Sequence, residues 1–408
     1  MSARVQRPRV LFVAPELPYP PFTGAHTRPL SLIRALARSY DVTVVGAAPA
    51  GSDLSALDEA GARVISLAMS PYARSPWRSM LAGARQVVSP VPLISRGGSP
   101  AIGRLVRDAT ERARPDVLHL VSMYSCWYRD ARLPAVIDLL DVVSDLCDSA
   151  ASARPLRYCL ARVQMHTSQA LERRELAKMA EVIAINDEDA RRLSRLGVTA
   201  TVVPLSVAVP TERNAVEAYR AEVPGSSAVP TELDVLFVGN FAHKPNRASA
   251  EFIRRELLPE LKRRHLPIAL TIAGRHASLA RSGSDGITYV ADVPDMGSLY
   301  RQAQIVLAPV VFGGGTKNKT LEAMAWGRPV IGTPLAFTGI GTCAGGAFVS
   351  TPLRGAAMAD ALARLAADPA LRAAMGEAGR KYVLECHTDG LVEDRISSVY
   401  ERVLEVRV

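Results

Sequence analysis

Short runs of aliphatic and β-branched residues alternate with Ala/Leu/Arg-rich stretches of helical spacing, and the alternation runs twice along the chain. The first series comprises RVLFVAP (9–15), DVTVVGA (41–47), RVISLA (63–68), DVLHLVS (116–122), AVIDLLD (135–141), EVIAIN (181–186) and TVVPLS (201–206). Between its members fall the helical stretch RPLSLIRALARSY (28–40) and another around 53–61. Near-continuous apolar strands separated by helices predict a parallel sheet covered on both faces. The series restarts with DVLFVGN (234–240), IALTIAG (268–274), ITYVAD (287–292), IVLAPVV (305–311) and PVIGTP (329–334), with helices near 246–264, 295–303 and 316–326. Residues 203–233 hold four prolines and a Ser/Gly patch, the composition of a linker with one polar helix. The expected fold class is therefore α/β, with two doubly wound, Rossmann-like parallel-sheet domains at 1–206 and 207–389. A last helix within 390–408 carries Leu391, Val392, Ile396, Val399, Tyr400 and Val403 at helical spacing. That stripe needs burial, and crossing back onto the first domain would supply it.

A chain of 408 residues fits two cores better than one. Its net charge of +9 is uneven: 26 basic and 19 acidic residues up to Ser206, against 23 and 21 beyond. A basic first half suits an anionic acceptor or a headgroup surface. Nucleic acid is not expected, because no basic run is interleaved with aromatics for base stacking. Cys126, Cys147, Cys159, Cys343 and Cys386 are an odd set without CxxC spacing, which predicts reduced thiols rather than disulfides or a zinc site. The opening apolar run is too short for a signal-peptide core, and no run approaches the ~18 residues of a membrane span. The expectation is a cytoplasmic protein, with room for peripheral contact at the inner membrane face. Tyr72, Trp77 and the arginines within 70–98 are candidates for such contact or for the acceptor.

The segment FGGGTKNKTLEAMAWGRPVIGTP (312–334) carries the chemistry. Lysine is scarce, six against forty-three arginines, and two of the six are Lys317 and Lys319. Gly313, Gly314 and Gly315 let the backbone turn sharply and approach a ligand closely. Thr316 is a candidate cap for the helix that follows, with Leu321, Met324 and Ala325 inward, Gly327 ending it and Pro329 beginning the next strand. Free amides at the helix start and two ammonium groups beside them call for an anion such as a diphosphate. Glu322 lies on the same helical face as Asn318 and Lys319, one turn deeper, where it can accept hydrogen bonds from two ribose hydroxyls. The pattern implies a nucleoside diphosphate carrying a group for transfer.

The stretch GGTKNKTLEAMAWGRPVIGTPLAFTGI resembles the donor-site motif of the GT-B glycosyltransferases of family four, the retaining enzymes that use nucleotide-activated sugars. PPFTGAHTRPLSLIRALARSYDVTVV is similar to their N-terminal loop and first helix, FVGNFAHKPNRASAEFI to the start of their second domain, and DVPDMGSLYRQAQIVLAP to the approach to the donor loop. The resemblance implies two domains facing a central cleft, with donor in the second and acceptor in the first. It implies Gly24 against the donor phosphate and Glu322 on the ribose; His26, beside Gly24 in the first loop, is a candidate for ligand contact on its position alone. It places Lys319 on the diphosphate with Lys317 as its neighbour. Thr316, Asn318, Thr320 and Leu321 complete the donor loop, and Gly239, Asn240, Lys244 and Arg275 join it. The nucleobase is expected along the turn from Val290 to Val293.

Three positions depart from the family pattern. Gly314 stands where many members have a glutamate near the sugar, so backbone amides would contact that sugar. Asn240 replaces an arginine, with Lys244 left to supply the charge. The histidine often found after the AVIDLLD strand is replaced by an Asp-x-x-Asp, as in members with NK in the donor loop. Of that pair, Asp141 at the strand end is expected to face the sugar or acceptor hydroxyl, and Asp138 to point into the sheet or cap locally. His119 reads as an interior histidine. Asp187 and Asp189 read as helix-start acids rather than metal ligands, and Asp141, Asp145 and Asp148 as an acidic helical face.

The implied activity is metal-independent transfer of a hexose-type sugar from a nucleoside-diphosphate sugar to a glycan, lipid-linked or small-molecule acceptor, with retention and no cofactor. Leaving-group charge would be stabilised by Lys319, Lys317, the amides of Gly315 and Thr316, and the helix start. A sugar-nucleotide epimerase or phosphorylase of the same fold, or a non-catalytic nucleotide-binding subunit, stays open. A nicotinamide dehydrogenase is disfavoured, since no GxGxxG follows the first strand.

Overall fold

Along the first strand, β1 (Arg9–Glu16), successive side chains enter two different cores. Val10, Phe12 and Ala14 join one apolar cluster, and Leu11 and Val13 the other. Both faces of its sheet are thus covered, which is why the sequence shows an unbroken apolar run there. The computed structural model describes residues 7–20, 24–68, 99–142, 155–211, 232–281, 285–293, 295–341 and 344–405. The 70–98 segment with Tyr72 and Trp77, the acids Asp145 and Asp148, and most of the proline-rich stretch lie outside the described residues.

The chain divides into two units, residues 1–206 with 389–408, and residues 207–388. Unit 1 adds β2 (Asp41–Ala48), β3 (Arg63–Ala68), β4 (Val117–Val121), β5 (Ala135–Leu139), β6 (Glu181–Ala184) and β7 (Thr201–Val202). Its sheet runs β3-β2-β1-β4-β5-β6-β7, with every recorded pairing parallel. The helices are α1 (Gly24–Ala37), α2 (Ser55–Glu59), α3 (Pro100–Ala113), α4 (Pro155–Leu176) and α5 (Asp187–Arg195). Unit 2 holds β8 (Leu233–Val238), β9 (Ile268–Gly274), β10 (Thr288–Ala291), β11 (Ile305–Ala308), β12 (Val330–Gly332) and β13 (Phe348–Ser350), ordered β10-β9-β8-β11-β12-β13 and again parallel. Its helices are α6 (Lys244–Phe252), α7 (Leu258–Arg263), α8 (Met296–Gln302), α9 (Asn318–Ala325), α10 (Gly355–Ala367) and α11 (Pro369–Cys386). The final helix, α12 (Asp389–Glu405), belongs to unit 1. Val392, Ile396, Val399, Tyr400 and Val403 are buried there with Phe12, Leu32 and Leu36 of β1 and α1.

Each sheet reverses its strand order once, between β1 and β4 in unit 1 and between β8 and β11 in unit 2. Loops leaving the carboxyl ends of such neighbouring strands border a crevice where ligands of open α/β sheets bind. The expected strand at 201–206 is cut to two residues. Pro204 has no N–H for a ladder, and its carbonyl instead accepts a bond from Arg28 Nη1. β13, three residues long, has no counterpart among the expected strands because so short a run carries little periodicity.

Candidate active site

In unit 2 the loops after β8 and β11 meet. After β8, Gly239 donates its N–H to Ala273 O at 3.0 Å, and Phe241 donates to Arg275 O at 2.9 Å. A Cβ on Gly239 would come 2.9 Å from Asn246 Cγ, so the turn tolerates only glycine at this packing. Gly274, at φ +124°, would drive a Cβ to 2.3 Å from Gly239 O. Two strand ends are thereby pressed together beneath the crevice.

After β11 the backbone passes through Gly313 and Gly315 at φ 119° and 69°, conformations other residues rarely hold. Lys317 folds back over this loop: its Nζ donates to Gly314 O and Gly315 O, each at 2.5 Å. α9 opens at Asn318, with Lys317 as the capping position and no side-chain cap bond. Thr316 is therefore one residue too early to cap the helix as expected, because the glycine turn delays helical geometry past it. The first amides of α9 have no acceptor within the helix and carry its positive dipole end.

Lys319 reaches back to α6, donating to Asn246 Oδ1 at 2.7 Å, with its Nζ 4.7 Å from the centre of the Phe237 ring. Burial first, then the charge of Lys317, pushes its ammonium down to about 7, with Glu322 opposing. Glu322 accepts from Tyr300 Oη of α8 at 2.9 Å. Its carboxyl is raised by burial, against the Tyr300 hydrogen bond and the Lys319 charge. Tyr300 is fixed in turn by stacking on Trp326, 6.4 Å between centres.

Two expected donor contacts are corrected. Thr320 is fully buried, its hydroxyl given to Ala336 O at 3.1 Å and its N–H to Lys317 O at 2.9 Å. Leu321 is likewise buried, with its N–H on Lys317 O. Both face the interior beneath α9, because the helix must bury one side against its sheet. Asn318, Arg275, Val290 and Val293 are half-buried and Lys244 is exposed at the start of α6. Tyr300 and Asn246 were not singled out from sequence, where one looks like a core aromatic and the other like a helix-start polar residue.

In unit 1, Gly24 begins α1, and His26 is buried with Nε2 3.2 Å from Glu16 Oε1 and its ring against Tyr19. Asp141 is half-buried two residues beyond β5. Asp138, inside β5, is fully buried and pairs with Arg28, Nη2–Oδ1 at 2.8 Å and Nε–Oδ2 at 3.2 Å. Arg28 is a further residue that sequence reasoning passed over, one arginine among forty-three. At the end of β4, Ser122 sits at φ 64° and ψ 162°, a region that is essentially glycine's. The 3₁₀ turn after it (Met123–Tyr128) carries Tyr124 and Trp127, 37% and 41% exposed, three residues apart and so on one side. His119 is interior: it stacks on Phe12 and its Nδ1 lies 2.9 Å from Tyr400 Oη. Asp189 gives its N–H to the cap residue Asn186, and among the described residues no cluster of three metal-ligating side chains occurs. Among the described residues, no helix is long and apolar enough to cross a membrane.

Two parallel doubly wound sheets, the second with a glycine-lysine loop at its strand-order reversal, define a glycosyltransferase of the GT-B fold. Family models match residues 23–207 as a glycosyl transferase 4-like domain and residues 232–368 as glycosyl transferases group 1. The chain belongs to the group 1 glycosyl transferases. Among solved structures of similar fold is sucrose-phosphate synthase from Thermosynechococcus elongatus, at TM-score 0.71 and 17% identity, covering 98% of this chain and 100% of that one. Trehalose 6-phosphate synthase from Burkholderia multivorans matches at 0.63 and 13%, covering 99% and 100%. HepE from Anabaena, in complex with UDP and glucose, matches at 0.61 and 14%, covering 96% and 99%. No curated protein sequence matches the chain.

Proposed function

We propose that the chain moves a hexose-type sugar from a nucleoside-diphosphate sugar to an acceptor hydroxyl, with retention at the anomeric carbon and without a metal ion. Unit 2 takes the donor and unit 1 the acceptor. The observation that carries this reading is the cationic end of β11: Lys317, Lys319 and the start of α9 converge there, with Glu322 one turn deeper. Departure of the nucleoside diphosphate leaves charge on its oxygen, and preorganised ammonium and amide groups stabilise that charge without reorganising. Glu322 receives ribose hydroxyls in exchange for its Tyr300 partner. HepE, similar in fold, has been crystallised with UDP and with UDP-glucose, which favours uridine among the bases. Retention rests on the family resemblance. Asp141 is assigned to the acceptor side, and Tyr124 with Trp127 offer aromatic faces at that end of unit 1.

Thermal shift with UDP-, GDP- and dTDP-sugars tests the donor, since a ligand at one hundred times its Kd adds about 2.7 kcal/mol. One base is expected to stabilise the chain clearly above the others, and acceptor-dependent release of its diphosphate is expected to follow. Release of an altered sugar without acceptor would point to an epimerase. Binding without any turnover would point to a non-catalytic subunit.

A further inference from the structure

We infer that Asn246 is a positioning residue: its amide, anchored across the crevice, aims the Lys319 ammonium at the donor diphosphate without neutralising it. The inference rests on reading unit 2 as a diphosphate site and adds a residue outside the glycine loop. Asn246 Nδ2 donates to Asn240 O at 2.9 Å, which fixes the orientation of the amide and turns Oδ1 toward Lys319 Nζ at 2.7 Å. The same side chain fills the space that a Cβ on Gly239 would occupy. One amide therefore ties together the turn after β8, the start of α6 and the start of α9. Strands β8 and β11 are the neighbours at which the strand order reverses, so the tie spans the crevice itself.

The choice of an amide has a chemical consequence. A carboxylate at this position would pair with Lys319 and then repel the incoming anion. An amide oxygen orients the cation and adds no negative charge of its own. From β8 the ammonium meets the Phe237 ring and from α6 this amide. The charges bearing on it come from its own segment, Lys317 lowering and Glu322 raising its proton affinity. Burial and Lys317 together bring it to about 7, so a bound diphosphate restores a proton that the empty site holds weakly.

Two measurements on the full chain test this. The first is a side-chain NMR titration of Lys319, one of six lysines, without nucleotide. Wild type is expected to titrate near neutrality and Asn246→Asp at least one pH unit higher. The second is calorimetric UDP binding from pH 6 to 9. Wild-type affinity is expected to fall as pH rises through about 7, approaching tenfold per unit. In Asn246→Asp, affinity at pH 6 falls about tenfold or more and the decline moves to higher pH. In Asn246→Ala, donor KM rises on the order of tenfold, the scale of one charge-assisted bond. An unmoved Lys319 titration in Asn246→Asp, or equal weakening at every pH, overturns the positioning role. Absence of any diphosphate binding by wild type, with the titration shift intact, overturns the site reading instead.

Discussion

Each unit keeps a cation in contact across its sheet's carboxyl ends, and the two are partnered in opposite ways. In unit 1, Arg28 on the helix after the first strand is held by Asp138 through two bonds and by the Pro204 carbonyl. In unit 2, Lys319 is held by Asn246 on the helix after that unit's first strand, and Asn246 is neutral. A buried cation with its own carboxylate is finished chemistry: it fixes α1 against β5 and asks for nothing more. A half-buried cation whose direct partners are an amide and an aromatic ring, with the Glu322 charge acting from one turn away, costs desolvation energy that an anion would recover. The identity of the direct partner, carboxylate or amide, marks Arg28 as a strut and Lys319 as a binding group.

Removing Asp138 should break the strut most severely. Asp138→Ala is expected to destabilise unit 1 by about 3–5 kcal/mol in urea unfolding, because Arg28 is left buried and uncompensated. The double variant Arg28→Met with Asp138→Leu is expected to recover most of that loss. Lys319→Ala is expected to behave in the opposite manner, with unfolding unharmed but turnover reduced about a hundredfold. Near-normal turnover would remove Lys319 from the chemistry.

The pH dependence of stability sharpens the contrast further. His119 is held down to about 4 by burial, below its ordinary 6.5, so the unfolded chain binds the extra proton between those values. Its contribution is present above 6.5 and is lost as pH falls through about 4, at no more than about 1.4 kcal/mol per pH unit. Lys319, lowered from 10.5 to about 7, follows the same sign at the other end: stability of unit 2 rises between pH 7 and 10.5. Saturating diphosphate is expected to flatten that alkaline rise and to leave the acid limb of His119 unchanged. The smallest effect is Tyr400→Phe, expected to cost about 1 kcal/mol through its bond to His119.

The strand pattern was legible because both faces of each sheet are covered, so apolar runs needed no tertiary information. The glycine-lysine loop was legible for a similar reason: its chemistry lies within eight consecutive residues, 312–319. What stayed hidden depends on partners far apart in the chain. Asn246 and Lys319 are separated by 73 positions, Arg28 and Asp138 by 110, and nothing in local periodicity links them. Thr320 and Leu321 were placed at the donor because they belong to the motif, whereas helical geometry turns both inward. Thr316 was read as a cap by residue type, and two positive-φ glycines shifted the helix start beyond it.

A crystal structure of the chain with the nucleoside diphosphate that stabilises it most tests the central claim directly. The expected result is a diphosphate oxygen within hydrogen-bond distance of Lys319 Nζ and of the first amides of α9. A nucleotide seated elsewhere, with Lys319 still donating to Asn246 alone, would contradict it.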